Sequence, residues 1–272
     1  MPIPRQSACL TLAALCCGAA LAAQEPPAPA RPPEGTVIIN LPSAEVNRGG
    51  TLQLLFTHRF ADPVQGSSIR SLYTFDSGAD VGIGISYTPL ENLEIALLRS
   101  RTLQDYELSA KYRFLSSPQS PVALALRVGG NGRTEVNLED RTGFFGQAIA
   151  AVTLFSRVRV TVLPTYVSRA AGQPFVLAKP IRKDVWNVPV ALSAALTRSI
   201  NIHGEVVPRR ADSPGVGWIA AIEKTVLRHR FAFTAGNLRP TTVDQYIASD
   251  FGDLKPHSIY LGFNIVRQWK LK

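Results

Sequence analysis

The sequence predicts an all-β protein, a closed up-and-down antiparallel transmembrane β-barrel of about 12 strands. Three observations carry that expectation. Apolar side chains recur on every second residue in run after run, the period of a strand with one apolar face. The connections between runs alternate between tight turns and longer loops, as the two rims of an outer-membrane barrel do. No stretch after the first two dozen residues sustains a 3.6-residue apolar period or approaches a membrane-spanning helix.

Residues 1–23 read as a secretory signal peptide. Arg5 precedes a short apolar stretch from Ala8 to Leu21, and small residues form an A-x-A-like cleavage site ending at Ala22 or one residue later. The run is shorter than the ~20 apolar residues a spanning helix needs. All 3 cysteines (Cys9, Cys16 and Cys17) fall in this leader, so the exported chain is expected to lack disulfides, thiolate metal sites and cysteine nucleophiles. Residues 24–35, QEPPAPARPPEG, form a Pro/Ala-rich linker. TVIINLPSAEVNRGG, residues 36–50, reads as a short strand or a plug-like segment and is assigned to an N-terminal periplasmic segment ahead of the barrel, residues 51–272. The net charge of +9 is spread in mixed-sign company with no Lys/Arg tract, which argues against a nucleic-acid partner.

The clearest alternation lies in Thr51–Phe60, Ala79–Thr88, Tyr106–Phe114, Trp186–Thr197 and Ser258–Lys272. In the first, Leu52, Leu54 and Phe56 oppose Thr51, Gln53, Thr57 and Arg59. In the second, Val81, Ile83, Ile85 and Tyr87 oppose Asp80, Gly82, Gly84 and Ser86. Leu261, Phe263 and Ile265 line one side of the last. Weaker runs at Leu93–Arg101, Val122–Gly129, Phe144–Leu154, Val158–Ser168, Ile200–Arg209, Val216–Thr225 and Arg228–Asn237 complete the set. Strands of this length, tilted ~40°, match the ~25 Å apolar band of an outer membrane. An even number returns both termini to the tight-turn rim, the periplasmic side.

Which way the apolar rows point follows from their opposite faces. These are rich in Gly, Ser, Thr and Ala and hold few charges, which suits a crowded lumen better than a solvated exterior. Leu52, Leu54, Phe56, Val81, Ile83, Ile85, Leu261, Phe263 and Ile265 are therefore expected to face lipid. Tyr87, Tyr112, Phe155 and Trp269 are the interfacial aromatics of the turn rim, and Trp186 and Trp218 those of the loop rim. The inward charges form an expected network of Arg59, Asp80, Glu94, Glu107, Lys111, Arg113, Arg127, Arg159, His203, Glu205 and Glu223. Register set by the loops puts Arg59 opposite Asp80, Glu94 opposite Arg113, and Glu223 near Arg228 or Arg230. Inward arginines exceed inward acids in the middle of the chain.

Little in this set carries chemistry. His58, His203, His229 and His257 have no second ligand at a metal-binding spacing, so no metal or cofactor is expected. Ser193 falls opposite Glu205, with His203 two residues away on the same inward face, which gathers a nucleophile, a base and an orienting group. They point away from the outer surface where lipid hydrolases work, and a hydrogen-bonded lumen network is the preferred reading. Gly82, Gly84 and Gly262 either leave space for a pore or make room for bulky partners such as Arg113 and Arg127.

FTHRF at Phe56–Phe60, DVGIGISY at Asp80–Tyr87, YELSAKYRFL at Tyr106–Leu115, HRFAFTAGN at His229–Asn237 and YLGFNIVR at Tyr260–Arg267 together resemble an uncharacterised bacterial family, domain of unknown function 5777, described as a β-barrel. The resemblance spans roughly Val37 to the end. It implies an outer-membrane barrel of a Gram-negative cell, and it brings no activity and no functional residues. The aromatic-rich last strand also resembles the signal read by the outer-membrane assembly machinery.

The expected function is a monomeric, narrow channel or transport component with a polar, arginine-containing lumen and a weak preference for small anionic solutes. A closed structural or binding barrel, contacting a partner or lipopolysaccharide through its long loops, is the alternative. A lipid hydrolase is a distant third.

Overall fold

The computed structural model describes residues 34–116, 120–134, 142–172, 181–210, 215–248 and 258–271; the leader, most of the linker and His257 lie outside them. One antiparallel sheet of 14 segments closes on itself. Two pairs of segments are single strands broken at a proline, so the ring has twelve staves. They are β1 (Thr51–Phe60), β2 (Ala79–Leu90), β3 (Leu93–Ser100), β4 (Asp105–Leu115), β5 (Val122–Arg133) and β6 (Thr142–Leu154). Then follow β7 (Val158–Val162 and Thr165–Gly172), β8 (Ile181–Asn187 and Val190–Ala195), β9 (Ile200–Val207), β10 (Gly217–Val226), β11 (His229–Gly236) and β12 (Tyr260–Lys270). β12 pairs with β1 from Thr51↔Lys270 to Arg59↔Gly262 and seals the ring.

The breaks in β7 and β8 sit side by side. Pro164 and Pro189 have no N–H to give to a ladder. The chain bridges the gap with Leu163 N–H donating to the Pro189 carbonyl at 2.9 Å. β8 begins at Ile181, well before the alternation that becomes legible at Trp186.

The apolar rows face outward. Ile83 is 51% exposed, whereas Thr57 on the opposite face of the neighbouring strand is 2% exposed. Ile83 lies near the middle of β2, so replacing it with Arg is expected to cost about 2–4 kcal/mol. Denaturant unfolding of protein folded into lipid vesicles measures it, and an unchanged stability would contradict the outward assignment.

The lumen is filled by the chain itself. Residues 36–50, assigned by the sequence to the periplasm, instead enter the ring: Ile38, Ile39, Leu41 and Ala44 are fully buried. Polar atoms of this segment bond to β1, β4, β9, β11 and β12, which only an occupant of the interior can reach together. A Val37↔Pro42 bridge and an Ile38 N–H to Leu41 carbonyl bond of 2.9 Å fold it into a tight reversal. Gly50, at φ +74°, then turns the chain out of the lumen into β1, a conformation that costs glycine little. From the opposite rim the connection between β11 and β12 dips inward as a short helix, α1 (Val243–Ala248), every residue of which is buried.

Candidate functional site

The site is the lumen, where inward side chains of the wall meet residues 34–48 and α1. Its tightest element is Glu205 of β9. That carboxylate accepts three consecutive backbone N–H groups, from Ile39 at 2.7 Å, Asn40 at 3.0 Å and Leu41 at 2.9 Å. Successive N–H groups at a tight reversal make an anion-binding concavity, here closed on a wall carboxylate. Arg59 of β1 completes the anchor, donating to Asn40 Oδ1 and Asn264 Oδ1 at 2.8 Å each, and Asn264 Nδ2 donates to the Ile39 carbonyl at 2.8 Å. Gly262 makes this possible, since a Cβ there would lie 2.8 Å from Arg59 Cδ.

Around the ring the expected charges distribute as follows. Lys111 pairs with Glu94 at 3.2 Å and also donates to the Thr36 and Ser43 carbonyls at 2.9 and 3.3 Å. Arg127 pairs with Glu107, and Arg230 pairs with Glu223 at 2.6 Å. Arg159 meets two carboxylates of the inserted segment, Glu45 at 2.7 Å and Glu34 at 3.5 Å, and Arg113 meets Glu45 at 3.3 Å. Burial holds the Glu34 carboxyl above its ordinary range, an effect only partly offset by Arg159 and by the hydroxyl of Ser193.

Two expected pairings, Glu94–Arg113 and Ser193–Glu205, are corrected, and Arg59–Asp80 holds in register. Glu94 lies opposite Lys111, not Arg113, because the β3–β4 pairing closes at Ser100↔Asp105, two residues out of the expected register. Arg59 does lie across from Asp80, but its guanidinium turns to Asn264 and Asn40, while Asp80 accepts from Ser100 Oγ and Thr102 N–H. Ser193 pairs in register with His203, whereas Glu205 lies across from Ala191. The acid beside His203 is therefore Glu223, at 3.7 Å from Nε2, with Ser193 Oγ 2.9 Å from Nδ1.

At the loop end, Arg133 grips Asp244 of α1 at 2.7 Å with both side chains fully buried. Val243 N–H donates to Glu107 at 2.7 Å, Arg210 donates to the Ile247 carbonyl at 2.7 Å, and Gln147 donates to the Tyr246 hydroxyl at 3.1 Å. Burial pushes the Tyr246 hydroxyl well above the usual phenol range. Between the two inserts remains a cavity of about 60 Å³, walled by Thr57, Ser86, Thr241, Leu55 and Tyr246 among others. That is room for a few water molecules. Among the described residues, no cluster of three or more His, Cys, Asp or Glu side chains is placed to hold a metal ion.

The outward aromatics gather at the rims. Phe155 stands 90% exposed in the turn between β6 and β7. Trp186 packs on Tyr166, and Tyr166 on Phe144, with ring centroids 5.1 and 5.9 Å apart. Arg267 lies over Trp269 at 5.3 Å and reaches His229. Tyr87 and Tyr112 are outward and exposed at the turn rim, and Trp218 is outward at the other.

Comparison with solved structures returns outer-membrane barrels. The NanC porin aligns over 81% of this chain and all of its own at 7% identity, with a TM-score of 0.50. An outer-membrane channel from Pseudomonas putida F1 (82% of this chain, 97% of its own, 11% identity) has a TM-score of 0.49. Outer membrane phospholipase A from Escherichia coli (86% and 97%, 9% identity) has a TM-score of 0.44. Likeness at such identity speaks to fold alone. No curated protein matches the sequence. The family described as a membrane-bound beta barrel domain does match, over residues 34–269, so the inserted segment and the whole ring lie within one unit. The chain belongs to that family, domain of unknown function 5777, and is an outer-membrane β-barrel.

Proposed function

We infer that this barrel is a narrow passage across the outer membrane, shut at rest by its own residues 34–48 from the periplasmic end and by α1 from the other. One observation supports this reading above the rest: the lumen is filled by two chain segments that hydrogen bonds and ion pairs tie to the wall. A barrel built only as a scaffold can fill its interior with wall side chains, as small barrels do. Polar contacts are also the kind that water replaces at modest net cost when a segment withdraws. The Pro/Ala linker ahead of Glu34 would tether the withdrawn segment in the periplasm. The same reading includes export by a leader cleaved near Ala22, insertion by the assembly machinery through β12, and a monomer bathed by phospholipid and lipopolysaccharide.

Planar-bilayer recording of refolded full-length protein tests it. The wild type is expected to be mostly closed, and Glu205→Ala, which removes the anchor of the inserted segment, is expected to show stepwise openings. Silence from both and from Glu205→Ala/Asp244→Ala, with both inserts shown to have left the lumen, would sink the passage and leave the alternative of a closed barrel that binds partners or lipopolysaccharide through its loops. The small residual cavity is what favours that alternative.

A hydrolase is the weakest reading. Ser193 and His203 are hydrogen-bonded and Glu223 lies 3.7 Å from the ring, but the Ser193 hydroxyl is fully buried and donates to Glu34 at 2.7 Å. In the shut state Glu34 thus occupies the position beside that hydroxyl where a scissile carbonyl would have to sit.

A further inference from the structure

We propose that the turn end of the lumen contains a binding subsite for a short dicarboxylate, a subsite that Glu34 and Glu45 fill as built-in substitutes while the barrel is shut. This rests on the reading of the barrel as a gated passage and names the class of solute it would take.

The argument starts from how the wall balances its charges. Lys111–Glu94, Arg127–Glu107 and Arg230–Glu223 have both members on strands and remain paired wherever residues 34–48 go. Arg159 and Arg113 differ: among the described residues, the carboxylates they meet belong to the inserted segment. Their guanidinium groups are nevertheless positioned from the wall side. Arg159 Nε donates to Thr153 Oγ1 at 3.0 Å, and Arg113 Nη2 donates to the Glu91 carbonyl at 2.9 Å. Withdrawal of the segment would therefore uncover two oriented cations, one of them 5% exposed in the closed state.

Neutral donors complete the pattern. Ser193 Oγ donates to Glu34 Oε2 at 2.7 Å, and Ser116 Oγ donates to Glu45 Oε1 at 3.2 Å. Glu34 and Glu45 both reach the same nitrogen, Arg159 Nη1, so their carboxylates lie within the span of a small molecule. Guanidinium forks backed by hydroxyls match planar carboxylates, and a buried cation bound by a weak or absent partner is costly. A free solute with two carboxylates could restore both contacts at once. A monocarboxylate could restore one.

A ligand for the uncovered cations must shift the segment outward by mass action. The test uses full-length protein carrying Ala44→Cys, a fully buried position of the inserted segment, in lipid vesicles. A water-soluble thiol reagent reports exposure, with modification at residue 44 located by peptide mass. Succinate is the probe, against chloride and acetate at equal ionic strength. When succinate is present at ten times its dissociation constant, labelling is expected to accelerate about tenfold. Acetate should give a smaller effect and chloride none. Arg159→Gln raises the basal rate but should reduce the succinate-to-chloride ratio to one, while Arg159→Lys should keep part of it.

Equal labelling in succinate and chloride would overturn the subsite. So would a succinate effect that survives Arg159→Gln unchanged. The passage itself stands or falls on a different measurement, the conductance of Glu205→Ala and of the double variant Glu205→Ala/Asp244→Ala. If either variant conducts while succinate leaves residue 44 protected, the dicarboxylate is wrong and the gated passage survives.

Discussion

Glu205→Ala is expected to expel residues 34–48 from the lumen while leaving the ring intact. The carboxylate accepts N–H groups from Ile39, Asn40 and Leu41, all of them buried, and among the described residues no second wall acceptor bonds them. An unsatisfied buried N–H costs about 1–3 kcal/mol. Even at about 1 kcal/mol for each, the equilibrium for leaving the lumen shifts by roughly 100-fold. Glu205→Gln keeps a carbonyl oxygen as acceptor and should fall between the wild type and Ala. Thiol labelling at Ala44→Cys reads the result, and equal rates in the wild-type and Glu205→Ala backgrounds would show that the segment is held by something else. The ring should survive because β9 keeps its ladders to β8 and β10 and the position faces inward, away from lipid.

The staves were legible because lipid and lumen impose a strict period of two on every strand. Leu52, Leu54 and Phe56 against Gln53, Thr57 and Arg59 can be read without knowing a single pairing partner. The occupants of the lumen were not legible. In TVIINLPSAEVNRGG the apolar residues Val37, Ile38 and Ile39 are adjacent rather than alternating, because an insert buried on every side has no single apolar face. α1 spans only six residues, too few for a helical period to emerge from VDQYIA.

One signal did point to the inserts: the excess of inward arginines over inward acids. Buried guanidinium groups need carboxylates. The missing acids were Glu34, Glu45 and Asp244, all of them outside the strands. The misread pairs have a narrower cause. Because period two fixes only the face, a two-residue shift in register preserves every inward assignment and changes every partner. Glu94 thus stays inward but meets Lys111, and Ser193 and His203 stay inward but find Glu223 rather than Glu205.

The second large effect is expected at the other insert. Asp244→Ala strips Arg133 of a carboxylate that it holds through Nε at 2.9 Å and Nη2 at 2.7 Å, with both side chains shielded from solvent. Breaking a buried ion pair by removing one member costs about 3–5 kcal/mol. A helix of six residues has little stability of its own, so the loss falls directly on its docking. Hydrogen exchange across residues 243–248 should therefore quicken by at least about 100-fold, while the β-strand amides keep their protection. Unchanged exchange in α1 would mean that the Arg210 bonds to Ile247 and Ala248 and the Glu107 acceptor suffice to hold it. The double variant Glu205→Ala/Asp244→Ala then ranks the two inserts. If residues 34–48 alone close the passage, adding Asp244→Ala to Glu205→Ala leaves the conductance where it was. If α1 is an independent barrier in series, only the double variant conducts freely, because a path through the lumen requires both ends to be clear.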